Sequence, residues 1–186
     1  LLDWWILVNT QKRHVWPGLG AYRVADGTSS AFTASEITTQ LAVVRARAGA
    51  AAGGASGALL YNATSVRLNK GGLADALASS SYTSMVVVPA LPWLDATAPS
   101  APALAVTVQS SALRAQWTPA GTEAARWWLV QWRTSAAWNS RLVWGGEGSM
   151  DLPFAGTLDR ADVVAIAALD AAMNMSSTAV WRAAIQ

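Results

Sequence analysis

Only two strand-like runs lie among the helices in the first half of this chain, and two parallel strands cannot close a barrel. Residues 13–24 (RHVWPGLGAYRV) predict a buried strand running into a loop, 33–48 a helix, 57–62 (GALLYN) a second strand and 72–79 another helix. That β-α-β-α order belongs to parallel α/β architecture, whose closed barrels take eight strands and roughly 250 residues. Catalytic groups of such barrels come from the ends of several different strands, so a chain with two of them is expected to be a fragment, or one piece, of a larger protein. The opening Leu1-Leu2-Asp3-Trp4-Trp5 reads as the middle of a packed helix that ends near Asn9, with no initiator Met and no basic leader.

Thr33-Ala34-Ser35-Glu36 has the spacing of a capping box. After it, Ile37, Leu41, Val44 and Ala48 recur at helical spacing as one apolar stripe, with Arg45 and Arg47 on the exposed side. The glycine-rich stretch 49–57 precedes a strand and lacks Gly-Lys-Ser/Thr, so it reads as a connector rather than a phosphate loop. Pro99 and Pro102 within DATAPSAP mark a boundary, giving an α/β part over 1–95, a linker over 96–102 and a second part over 103–186. Beyond it, strands are predicted near 104–109, 112–117, 127–133, 141–144, 149–153, 162–169 and 177–184, a spacing that points to an all-β sandwich.

Charged residues make up 13% of the 186-residue chain and hydrophobic ones 53%, which argues against global disorder. The net charge is +2 and no basic run exceeds Lys12-Arg13, so nucleic acid is not an expected partner. The absence of cysteine excludes disulfides and thiolate chemistry. No apolar run approaches a membrane span. With the single histidine His14 inside a strand, neither a zinc site nor a cofactor is expected.

His14-Val15-Trp16-Pro17-Gly18-Leu19, Tyr22-Arg23-Val24, the helix opening at Glu36-Ile37 with Gln40, and Pro89-Ala90-Leu91-Pro92-Trp93-Leu94 occur in order. Together they resemble the end of the barrel in bacterial family-10-like glycosyl-hydrolase-like proteins, many of them envelope lipoproteins. The resemblance covers residues 1–95 as the last two βα units. Residues 100–186 resemble a fibronectin type III module through the Pro-rich entry, Trp117, the Trp128–Trp132 run and Val164-Ala165-Ile166-Ala167-Ala168. Val164 stands where such modules often keep a corner tyrosine. The resemblance implies a secreted, periplasmic or envelope-anchored protein whose substrate is a bacterial glycan, with peptidoglycan glycan strands as a candidate. It further implies hydrolysis by carboxylates on middle strands that this chain does not contain.

Glycoside hydrolysis generally needs a pair of carboxylates. Asp3, Asp26, Glu36, Asp75 and Asp95 are the acids of the α/β part, and only Asp26, in a loop after a strand, is placed near a potential site. No catalytic residue is therefore assigned, and the chain by itself is expected to be inactive. Residues that follow barrel strands line the active face, which nominates Tyr22, Arg23, Tyr61 and Asn62 for substrate binding. Tyr offers a ring and a hydroxyl, Arg and Asn directional donors. Five of the eleven tryptophans fall within 127–144; Trp128 and Trp132 share strand parity, and Trp127 faces the other way. One account places them in the core and in an interface; the other makes Trp127 and Trp138 sugar-stacking residues of a non-catalytic carbohydrate-binding or structural accessory module. The expected partners are a glycan and either the remainder of the barrel or another copy of the chain.

Overall fold

The computed structural model describes residues 1–48, 53–135, 137–156 and 159–184. Its contacts divide between Ser84 and Met85 into two compact units.

The first unit opens with α1 (Leu2–Val8). The helix ends at Asn9 as expected, yet it buries none of its residues, and Trp4 and Trp5 are both exposed. It is tied to the unit by the Asp3–Arg47 ion pair, in which Arg47 Nη2 donates to Asp3 Oδ2 at 2.9 Å. The strand expected over 13–24 shrinks to β1 (Gly18–Leu19), followed by a 3₁₀ turn over Ala21–Arg23. Pro17 supplies no N–H for a ladder, which helps explain the short strand. α2 (Ala34–Arg45) starts where the sequence places it, with Thr33 Oγ1 accepting from Glu36 N at 3.3 Å. The Glu36 carboxylate accepts from Gln40 Nε2 at 2.8 Å. Ile37, Leu41 and Val44 are buried, while Ala48, the last member of the predicted stripe, is exposed beyond the helix end.

β2 (Leu59–Leu60) pairs with β1 in parallel, in the register Gly18–Leu59 and Leu19–Leu60. It leads into α3 (Ala63–Arg67), α4 (Leu73–Ala76) and a widened π turn over Leu77–Ser81. α3 was not anticipated. Its cap is Asn62, whose Oδ1 accepts from Ser65 N at 3.3 Å. The core of this unit joins Leu19, Val24, Ile37, Leu41, Leu73 and Leu77. Each buried aliphatic side chain contributes about 1.5–3 kcal/mol of apolar transfer energy.

The second unit is a β-sandwich. One sheet has the order β3 (Ala103–Val108), β4 (Ala112–Thr118), β7 (Ser149–Pro153); the other runs β6 (Trp138–Trp144), β5 (Trp127–Arg133), β8 (Val163–Leu169), β9 (Ala179–Arg182). All neighbours within these sheets are antiparallel. A three-on-four antiparallel sandwich is the architecture that immunoglobulin and fibronectin type III modules share. The core lies between the sheets, around Leu113, Trp117, Trp128, Val130, Val164 and Ile166. Val164 is fully buried, filling apolar space where such modules often have a tyrosine. Residues 85–95, expected with the α/β part, group with this unit instead: Leu91 N donates to Ala172 O at 2.8 Å, and Asn174 Nδ2 to Asp95 O at 2.9 Å. Among the described residues, no helix is long and apolar enough to cross a membrane.

Candidate functional site

At the C-terminal ends of β1 and β2 the chain brings two tyrosines together. Tyr61 N donates to Leu19 O at 2.9 Å and Tyr22 N donates to Tyr61 O at 2.8 Å, so the parallel pairing continues into the 3₁₀ turn that carries Tyr22. The two rings meet edge to face, with centroids 5.7 Å apart and planes at 80°. This is a favourable aromatic geometry. Both rings remain accessible, Tyr22 at 48% and Tyr61 at 67%. The arrangement offers one aromatic face as a floor and two phenolic hydroxyls as donors or acceptors.

The other two nominated residues are engaged with their own loops. The Arg23 guanidinium donates to Ser30 O at 2.7 Å and Ser30 Oγ at 2.9 Å, and lies 4.6 Å from the Phe32 ring centroid. It thereby holds the 26–32 loop. Asn62 spends its carbonyl oxygen on the α3 cap. Asp26 Oδ1 accepts from Thr28 Oγ1 at 2.7 Å and from Thr28 N at 2.9 Å. The Thr28 hydroxyl first, then its backbone N–H, hold the Asp26 carboxyl below the usual carboxylate value, with Arg23 adding a smaller pull. At neutral pH Asp26 is therefore an anion with no proton to donate, unlike a glycosidic general acid, which needs a raised pKa. The ring of His14 stacks on Trp16 with centroids 6.3 Å apart.

A separate apolar groove of about 730 Å³ lies in the same unit. Leu2 and Trp5 of α1, Trp16 before β1, Gly18 of β1, and Gln40 and Val43 of α2 form its walls.

In the second unit the tryptophans part by strand parity. Trp128 and Trp132 point into the sandwich, Trp128 being 1% exposed, while Trp127 lies on the outer face. There Trp127 packs edge to face on Trp144, with centroids 5.3 Å apart, opposite it in the β5–β6 register. Trp138 is 56% exposed and sits opposite Arg133, at the other end of the same strand pair. Six residues of strand separate the two ends, a span of about 20 Å. Trp127 and Trp138 thus belong to one face but not to one stacking platform.

One constellation was invisible in the sequence because its members are far apart. Carboxylate oxygens of Asp95, Glu123 and Asp170 lie within 4.8 Å of one another. Asp170 is fully buried and its two oxygens accept from Asn174 N and Nδ2, both at 2.8 Å. Asp95 Oδ1 accepts from Thr97 N at 2.8 Å. These bonds are internal to their own turns, and the two segments are joined by Asn174 Nδ2, which donates to Asp95 O.

No protein-family model matches the chain, and no curated protein sequence does. Among solved structures, it is similar to the fibronectin type III domain of human collagen XX, with 24% identity, a TM-score of 0.37, and 53% of this chain and 100% of that one covered. It is also similar to a two-domain fibronectin type III segment of chicken tenascin, with 14% identity, a TM-score of 0.37, and coverage of 47% and 51%. A third similar structure is the Clostridium perfringens spore cortex lytic enzyme SleM, with 12% identity, a TM-score of 0.34, and coverage of 46% and 28%.

Proposed function

We propose that the chain is the glycan-contacting C-terminal portion of a glycoside-hydrolase-like protein of the secreted or envelope class, acting on a bacterial glycan. In this reading the first unit is the last two βα units of a barrel, and the second is an appended fibronectin type III-like module. The paired catalytic carboxylates belong to strands outside this chain, so its own contribution is to bind and orient substrate. The carrying observation is the Tyr22–Tyr61 pair: two accessible rings, 39 positions apart in sequence, joined at the C-terminal ends of parallel strands. A sugar ring stacks its C–H face on one ring while the hydroxyl of the other bonds a ring substituent. Among the described residues β1 pairs with β2 alone and borders the apolar groove, which supports the barrel reading, because parallel strands are ordinarily paired and covered on both faces.

The test is titration of the protein with a chitohexaose probe, followed by two-dimensional NMR. Shifts concentrated at Tyr22 and Tyr61, with affinity reduced about tenfold in Tyr61→Ala, are expected. Unshifted tyrosine signals at millimolar probe would sink the reading. A second reading, a non-catalytic carbohydrate-binding accessory module, is favoured by the exposed Trp138 and Trp144 on the outer face of the four-stranded sheet.

A further inference from the structure

That outer face has a composition that neutral-sugar stacking does not require. At one end the Arg126 guanidinium lies 4.4 Å from the Trp144 ring centroid, and at the other the Arg133 guanidinium lies 5.9 Å from that of Trp138. Arg182 joins the second end, since it opposes Val163, which in turn opposes Arg133. Between the ends, the outward positions Ala165 and Ala167 of β8 are small and buried, so contact with a ligand falls to the exposed side chains at the two ends. No acid occupies an outward strand position on this sheet. Asp162, just before β8, binds Arg133 through two hydrogen bonds of 3.0 and 2.6 Å. Arg126 and Arg182 form no ion pair among the described residues. Glu123 lines the hollow beside Arg126 and Trp144 without forming one.

From this pattern we infer that the outer face of the four-stranded sheet binds an extended anionic polysaccharide bearing carboxylates, such as a uronic-acid chain. The inference rests on the glycan reading but concerns a second site, in the other unit. Two requirements meet here. The exposed indoles supply the apolar faces on which sugar rings stack, and the unpaired guanidiniums supply the planar donors that match carboxylates. The separation of the two Arg–Trp ends, about 20 Å, calls for a chain of several sugars rather than one residue. Arg133 is neutralised by Asp162 and Glu123 stands beside Arg126, so the electrostatic share of the affinity rests on Arg126 and Arg182 and falls with added salt.

Calorimetric titration of the protein with three probes tests this: hexagalacturonate, neutral cellohexaose, and a polyglutamate of matched charge. Hexagalacturonate is expected to bind about tenfold tighter than cellohexaose at low salt, and to lose that margin in the Arg126→Gln/Arg182→Gln double variant. Both arginines are on the surface, so the variant should keep the parent melting temperature, and Trp138→Ala serves as a second variant that weakens binding without touching charge. Equal binding of the neutral and acidic sugars overturns the inference while leaving the glycan reading standing. Equal binding of polyglutamate overturns it in favour of an acidic peptide partner. No binding of hexagalacturonate also overturns it; if chitohexaose still perturbs Tyr22 and Tyr61, the first reading survives alone.

Discussion

Trp117 and Trp128, one from each sheet of the sandwich, donate their indole N–H groups to the same turn: Trp128 to Gly145 O and Trp117 to Glu147 O, both at 3.1 Å. Their rings lie 6.2 Å apart at 59° within the core. The pair fills the space between the sheets and fastens the β6–β7 connection. Trp128→Phe leaves the Gly145 carbonyl without its partner and opens part of the indole volume. A loss of about 2–3 kcal/mol is expected from these two causes, read as a lower urea midpoint with unchanged m.

The turn itself depends on a missing side chain. A Cβ on Gly145 would lie 2.0 Å from Ala125 O and 2.9 Å from Arg126 O, so backbone would have to move. Gly145→Ala is expected to cost about 3 kcal/mol or more in thermal denaturation. Gly156, around which an added Cβ meets nothing within 4 Å, is the control, and its alanine variant is expected within about 0.5 kcal/mol of the parent.

The tyrosine pair and its neighbour Asn62 separate binding from stability. Tyr61→Ala removes an exposed ring and is expected to weaken chitohexaose binding about tenfold while costing no more than about 1 kcal/mol of stability, the worth of its contact with Tyr22. Asn62→Ala removes the α3 cap and is expected to cost about 1 kcal/mol. Paired calorimetry and melting curves check both, and a loss well above about 1 kcal/mol in the tyrosine variant would mark that ring as structural.

Asp26 provides a pH signature. Its folded-state pKa lies below the ordinary value of 3.8, with the Thr28 hydroxyl as the largest cause. A depressed carboxyl stabilises the fold above its unfolded pKa, and that contribution fades as pH falls through the folded value. Carboxyl-detected NMR is expected to show a midpoint below 3.8, moving upward in Thr28→Ala. A midpoint near neutrality would instead make Asp26 a proton donor.

Periodicity in the sequence located α2 through Ile37, Leu41 and Val44, because one face of a helix is set by residues only three or four apart. The same held for β5, where the parity of Trp128 and Trp132 against Trp127 showed which indoles share a face. The run near 162–169 was legible as a strand and forms β8, but periodicity could not tell its two faces apart, since Val163 to Leu169 are apolar and buried throughout. Periodicity overstated β1, where the apolar run 13–24 yields only Gly18–Leu19 in the sheet. It also missed α3, a five-residue helix whose signal is little more than its Asn62 cap.

The sequence by itself determined the local periods, the caps and the absence of thiol chemistry. The tertiary structure alone decided that Tyr22 meets Tyr61, that Arg23 and Asn62 serve their own loops, and that Arg126 and Arg133 sit against Trp144 and Trp138. The physical reason lies in range. Propensity and capping act over a few bonds, whereas these contacts require closing loops and fixing strand register, which only the packing of many apolar side chains can stabilise.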